Sequence, residues 1–84
     1  MHKITFSKQA DKAIRKMPRN LALKIANKIK LLAIDPNSMS NVKKLTNHPG
    51  YRLRIGDWRV VYIVNDPELI IHVVNIKTRG EIYK

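Results

Sequence analysis

The fold is decided by residues 51–62, which read YRLRIGDWRVVY. Tyr51, Leu53 and Ile55 alternate with two arginines, as in a strand that has one buried side. Gly56-Asp57 is a two-residue hairpin signal, and a run of β-branched and aromatic residues follows it. The stretch therefore predicts a β-hairpin whose apolar side chains share one face.

A turn at Gly56-Asp57 also predicts the register of this hairpin. The expected cross-strand pairs are Ile55 with Trp58, Arg54 with Arg59, Leu53 with Val60 and Tyr51 with Tyr62. Arg52 points to the same face as Arg54. Like charges directly opposite one another destabilise a sheet by roughly a few tenths of a kcal/mol. The predicted Arg54–Arg59 pair is therefore unfavourable for the fold, which indicates a functional role. A slip of one residue would turn the arginines to the other face.

The residues before the hairpin predict a strand and two helices. Residues 2–6 alternate as a short strand, and Ser7 offers an N-cap for a helix that Pro18 ends. A second helix begins near Pro18 or Asn20. Its apolar stripe consists of Leu21, Ile25, Ile29 and Leu32, and a turn from Asp35 to Ser38 ends it. The basic residues 41–50 are expected to form a loop.

The residues after the hairpin complete an α+β pattern. A turn at residues 65–68 leads to a last apolar strand over residues 69–76. The order is β-α-α-β-β-β, which predicts two N-terminal helices packed on an antiparallel sheet that the opening strand joins. We expect one domain over residues 1–84, held by packing alone because cysteine is absent.

Charge indicates the class of partner. Seventeen Lys and Arg against six Asp and Glu give a net charge of +11, which attracts nucleic acid, anionic membranes or acidic proteins. The alternative is a basic surface that only keeps the protein soluble. The N-terminus lacks the apolar run of a signal peptide, and no stretch approaches the roughly 20 apolar residues of a membrane span. We therefore expect a soluble, cytoplasmic protein.

The last strand brings further cations to the arginine pair. If it runs antiparallel, Lys77 and Arg79 come to the end of the sheet that carries Arg54 and Arg59. Guanidinium groups suit phosphate oxygens, so the cluster predicts a phosphate site. The alternative is a solvated face that Asp57 or Glu81 partly neutralises.

Other residues carry less functional weight. The three histidines are widely separated and lack metal-ligand spacing, so no metal is predicted, and His72 reads as a core or edge residue. Trp58 and Tyr62 fall on the predicted core face, where packing is their expected role. Tyr83 lies beside the basic cluster and near the terminus, within reach of a ligand.

The hairpin closely resembles that of the RelE/ParE toxins, and residues 77–83 (KTRGEIY) look like that family's closing segment. The resemblance implies one RelE-like domain and a type II toxin that a neighbouring, acidic antitoxin keeps silent. RelE-like members cut mRNA in the ribosomal A site. The 2′-hydroxyl attacks the adjacent phosphate, which requires a proton acceptor, cations at the phosphate and a proton donor for the leaving oxygen. The resemblance implies no cofactor and no metal.

The resemblance also implies roles for particular residues. Arg59 matches the family's hairpin arginine, which clamps the transition state, and Arg54 and Arg52 stand where relatives often have lysines. Tyr83 matches the closing tyrosine, a candidate for base or for substrate orientation. Arg79 or Lys77 matches a residue that stabilises charge or the leaving group. The expected catalytic residues are Arg54, Arg59, Arg79 and Tyr83, and the expected RNA-binding residues are Lys43, Lys44, Arg52 and Lys77. Since arginine is a poor proton shuttle, the general base stays open.

Three functions follow from these expectations. The first is a ribosome-dependent mRNA endoribonuclease that inhibits translation. The second is a ParE-like toxin that inhibits DNA gyrase through protein binding. The third is a basic RNA-binding domain without catalysis, for which the arginines alone suffice. Presence of Arg59, Arg79 and Tyr83 together favours the nuclease.

Overall fold

The computed structural model describes residues 2–35 and 41–78. Its elements are β1 (Lys3–Phe6), α1 (Lys8–Lys16), α2 (Arg19–Ile34), β2 (Val42–Lys44), β3 (Tyr51–Ile55), β4 (Trp58–Asn65) and β5 (Ile70–Thr78). The five strands within these residues form one sheet in the order β1-β5-β4-β3-β2, and both helices pack on one of its faces. The predicted α+β fold is confirmed. Within the described ranges, neither helix has the length and apolarity needed to cross a bilayer.

The two helices begin and end where local chemistry predicts. The Ser7 hydroxyl caps α1 by accepting a 3.1 Å hydrogen bond from the backbone N–H of Ala10. The helix ends at Lys16 with Met17 as its C-cap, directly before Pro18, and α2 starts at Arg19. The apolar stripe of α2 is buried against the sheet, with Ile25 and Ile29 almost inaccessible to solvent. Burial of this stripe holds the helix pair on the sheet.

The central hairpin has the predicted register. Arg54 pairs with Arg59 and Leu53 pairs with Val60 across β3 and β4. On the other side of β4, Arg59 pairs with Lys77 of β5. The last strand therefore runs antiparallel and brings Lys77 beside the arginines, as expected.

Two features of the sheet differ from the prediction. The sheet is mixed, because β1 pairs with β5 in the parallel direction. No tight turn joins these two strands, and the long connection between them permits a parallel pair. The predicted loop at residues 41–50 is wrong for Val42–Lys44, which form the edge strand β2 against β3. Three residues are too few to show an alternating pattern, so the neighbouring strand decides their structure.

The start of α1 covers the edge of β5 beyond the end of β1. The pairing of β1 with β5 ends at Phe6 opposite Val73. Past that point, the Gln9 amide donates a 3.2 Å hydrogen bond to the Ile76 carbonyl and accepts a 3.0 Å bond from the Ile76 N–H. The Ser7 hydroxyl donates to the carbonyl of Val74. These bonds satisfy backbone groups that an uncovered edge would expose.

Candidate nucleic-acid interface

Five cations share the sheet face that the helices leave free. We call it the arginine face, and its cations are Lys43, Arg52, Arg54, Arg59 and Lys77. Their placement follows from the register, because Lys43 lies opposite Arg52 while Arg59 lies between Arg54 and Lys77. Directly opposed residues have Cβ atoms about 4.5–5.5 Å apart, so the positive charges adjoin across four strands. The described members of the predicted cluster are thus brought together, and Lys43 of β2 joins them.

Lys44 does not belong to this cluster. It pairs with Tyr51, whose side chain lies on the helix-bearing face with Leu53 and Ile55. Successive residues of a strand point to opposite faces, so Lys43 and Lys44 diverge. Of the two lysines that were expected to bind RNA, only Lys43 lies on the arginine face. Two other expected site residues, Arg79 and Tyr83, lie outside the described part of the chain.

Arg59 is a buried cation with incomplete hydrogen bonding. Arg59 exposes only 5% of its surface to solvent, and its Nη1 donates hydrogen bonds to the carbonyls of Gly56 and Trp58 at 3.2 and 3.1 Å. Its Nε is buried and has no partner among the residues described. A buried guanidinium remains charged, and each unpaired N–H carries a desolvation cost. One N–H of the Arg59 guanidinium therefore lacks an acceptor within the described residues.

Arg54 is exposed, but its backbone is held firmly. The N–H of Arg54 donates to the Asn41 carbonyl at 3.1 Å, and the Asn41 amide donates to the Arg54 carbonyl at 3.0 Å. The peptide is therefore fixed while the guanidinium faces solvent. Sequence reasoning missed Asn41 because it lies 13 residues from Arg54, and no local pattern links them.

The described carboxylates leave most of the cluster unneutralised. Lys43, Arg54, Arg59 and Lys77 form no ion pair with any carboxylate in residues 2–35 and 41–78. Asp57, one of two predicted neutralising residues, is therefore not paired with these four cations, and Glu81 lies outside the described residues. The repulsion between neighbouring cations favours a bound polyanion.

The aromatic residues of the hairpin pack on the helix side, as predicted. Tyr62 is almost fully buried and stacks on Tyr51 with 5.6 Å between ring centroids. Burial, with a smaller contribution from Tyr51, raises the pKa of Tyr62 to about 12. Its phenol is therefore protonated at neutral pH and does not act as a proton acceptor.

Two of the described histidines contact side chains that are distant in the sequence. The Nδ1 of His72 lies 2.7 Å from the Thr5 hydroxyl, and the Nε2 of His2 lies 3.0 Å from an Asp66 carboxylate oxygen. Within the residues that the structure describes, no group of three or more metal-ligating side chains is found.

Comparisons with known proteins give a consistent picture. A family model described as "ParE toxin of type II toxin-antitoxin system, parDE" matches residues 4–83. A search of curated proteins found no match. Among solved structures, the archaeal RelE-RelB complex from Pyrococcus horikoshii contains a chain 28% identical, with 94% of this chain and 96% of that chain covered and a TM-score of 0.82. A chain of the intact E. coli RelBE complex is 22% identical, with 93% of this chain and 96% of that chain covered and a TM-score of 0.80. The isolated E. coli RelE toxin is 21% identical, with 99% of this chain and 92% of that chain covered and a TM-score of 0.78.

Proposed function

Because the chain belongs to the ParE toxin family of type II toxin-antitoxin systems, we propose that this toxin is a ribosome-dependent mRNA endoribonuclease. One observation carries the proposal. The Nε of the buried Arg59 has no partner among the described residues, and Arg59 lies between Arg54 and Lys77, where a bound anion would relieve the repulsion. A ribose-phosphate chain supplies both the charge and the acceptor oxygens.

The proposed reaction is attack of an mRNA 2′-hydroxyl on the adjacent phosphate. The bond from phosphorus to the 5′-oxygen breaks, which leaves a 2′,3′-cyclic phosphate and a 5′-hydroxyl. Arg54 and Arg59 stabilise the negative charge that develops on the phosphate oxygens. Arg52, Lys43 and Lys77 hold the flanking phosphates, which positions the strand without reading its sequence.

The proton transfers fall to residues near the end of the chain, of which Arg79 and Tyr83 lie outside the described part. Tyr83 orients or deprotonates the 2′-hydroxyl, and Arg79 or Lys77 stabilises the leaving oxygen. These assignments come from the resemblance of the closing segment. The proposed reaction uses no cofactor and no metal.

The proposed partners are the ribosome with its mRNA and a cognate antitoxin, in the cytoplasm. Several similar structures are toxin-antitoxin complexes that contain RelB. A net charge of +11 favours an acidic antitoxin. The toxin and antitoxin would form a hetero-oligomer.

Inhibition of DNA gyrase is the second candidate function, because the matching family model bears the ParE name. Induction of the wild-type toxin in a bacterial host separates the two. We expect primer extension to show new 5′ ends within translated messages and no gyrase-dependent DNA breaks. Intact messages during growth arrest, together with DNA breaks, would establish the gyrase function instead.

Two adjacent lysines provide a matched test of the arginine face. Lys43→Glu places a carboxylate opposite Arg52, whereas Lys44→Glu makes the same change on the other face. We expect Lys43→Glu to weaken RNA binding and to reduce the slope of log affinity against log salt by roughly 1. Lys44→Glu should change this slope much less. Titration of a labelled RNA oligonucleotide at several salt concentrations measures both, and equal effects would contradict the proposed surface.

A further inference from the structure

Three cations of the arginine face lie beyond the ends of the two outer strands. Arg54, Arg59 and Lys77, which we call the cation row, lie side by side on β3, β4 and β5. The strand pairing of β2 with β3 ends at Leu53, one residue before Arg54, and that of β1 with β5 ends at Val73. At the cation row, therefore, β3 and β5 are the edges of the sheet.

Repulsion acts on both of these edges. The three cations adjoin, and none of them forms an ion pair with a carboxylate of residues 2–35 and 41–78. The middle cation is held, because Arg59 is buried and bonds to the hairpin turn. The outer cations repel it from strands that have no further neighbour, and the backbone groups of an edge also need partners.

A single carboxamide side chain binds each edge at this level. On β3, the Asn41 amide donates a 3.0 Å hydrogen bond to the Arg54 carbonyl, and the Asn41 carbonyl accepts a 3.1 Å bond from the Arg54 N–H. On β5, the Gln9 carboxamide bonds to both the N–H and the carbonyl of Ile76, the residue before Lys77. Each carboxamide thus holds the backbone at one outer cation of the row.

We propose that Asn41 and Gln9 are positioning residues, which fix Arg54 and Lys77 relative to Arg59 for the cleavage reaction. Cations that are already in place stabilise the charge that develops on a phosphate without a cost of reorganisation. The proposal requires no contact of either carboxamide with RNA. It rests on the proposed nuclease function and adds the residues that set the geometry of the cation row.

A double-mutant cycle tests whether Asn41 acts through Arg54. In the full toxin, Asn41→Ala should lower the single-turnover cleavage rate on saturating programmed ribosomes by about 3- to 10-fold, since a small misplacement of a reacting group costs rate. The affinity for RNA should change by less than about twofold, because every cation is retained. In an Arg54→Ala background, Asn41→Ala should have no further effect on the rate. Additive losses would overturn the role of Asn41.

A second cycle combines Gln9→Ala with Lys77→Ala in the same way. Gln9→Ala alone should lower the rate by about 3- to 10-fold and should have no effect once Lys77 is replaced. Additive losses in this cycle would overturn the role of Gln9.

Asn65→Ala is the matched control for both cycles. It removes a 3.2 Å hydrogen bond between a carboxamide oxygen and the Glu68 N–H, at the other end of β4 from Arg59. The rate should stay within about twofold of the wild type at a temperature where all variants are folded, because distant sites act independently. A loss as large as that of Asn41→Ala would show that any lost hydrogen bond lowers the rate, and would contradict positioning.

Hydrogen exchange gives a readout that does not depend on cleavage. Exchange should become at least about 10-fold faster at the Arg54 amide in Asn41→Ala and at the Ile76 amide in Gln9→Ala, since local opening is easier there. The amide of the buried Val60 should be unaffected. Unchanged exchange in both variants would overturn the proposal. If exchange changes as expected but the wild type does not cleave mRNA, the nuclease proposal fails while the placement of the cations by the carboxamides stands.

Discussion

Replacement of Arg59 by alanine is expected to lower ribosome-dependent mRNA cleavage by roughly 100- to 1,000-fold, the usual effect of removing one group that stabilises transition-state charge. Arg59 is the buried cation of the cluster and has an Nε without a described partner. Single-turnover cleavage on programmed ribosomes measures the loss. A folded Arg59→Ala variant that cleaves at the wild-type rate would contradict the proposed role.

The same replacement is expected to affect stability. The Nη1 of Arg59 donates to the carbonyls of Gly56 and Trp58, so it links the side chain to the hairpin turn. Loss of these bonds should lower the free energy of unfolding by about 1–3 kcal/mol, measured by urea denaturation. Cleavage must therefore be assayed at a temperature where the variant is folded.

Arg54 provides the matched control for this experiment. It lies directly opposite Arg59, but it is exposed, and its side chain makes no hydrogen bond with the described residues. We expect Arg54→Ala to reduce cleavage while leaving the unfolding midpoint nearly unchanged. If both variants lost activity only in proportion to lost stability, the arginines would have a structural role alone.

Replacement of Gly50 by alanine is expected to lower the free energy of unfolding by about 1–3 kcal/mol, the range for overpacking a buried site. Gly50 is buried directly before β3, and a Cβ there would lie 2.9 Å from the Tyr62 carbonyl oxygen and 2.8 Å from two atoms of the His48 ring. The backbone of β4 cannot move away without disturbing the ladder. Thermal and urea unfolding monitored by circular dichroism measure the change.

A second substitution identifies the cause of the strain. In Gly50→Ala/His48→Ala, the imidazole is removed but the Tyr62 carbonyl remains. We expect the double variant to lose about as much free energy of unfolding as the two single variants lose together. The reason is that the Tyr62 carbonyl, which belongs to the rigid backbone of β4, still contacts the added methyl group. Full recovery of stability would show that the histidine ring alone excludes a side chain.

Gly56→Asn serves as a control, because nothing lies within 4 Å of its Cβ position and asparagine tolerates the positive φ of +58°.

Much of the candidate site was predictable because its pattern is local. The alternation of residues 51–55 and the Gly56-Asp57 turn specify which side chains face one another, and a two-residue turn leaves little freedom of register. The return of Lys77 to the arginines followed from the antiparallel direction of β5. The helix boundaries at Ser7 and Pro18 are also local effects of capping and of the proline ring.

The remainder depended on contacts between residues far apart in the chain. The parallel pairing of β1 with β5 joins residues 67 positions apart, and no local pattern specifies its direction. The strand β2 exists because β3 offers an edge to pair with, and this pairing separates Lys43 from Lys44.

The amino-acid sequence by itself determined the hairpin, its register and the cluster of positive charge, because turn chemistry and the two-residue repeat of a strand act over a few residues. Only the tertiary structure decided that the Nε of Arg59 is buried without a partner among the described residues, that Lys44 lies on the opposite face, and that α1 and Trp58 enclose a cleft. Burial and cleft formation arise when distant segments pack together, so they depend on the whole arrangement of helices and sheet.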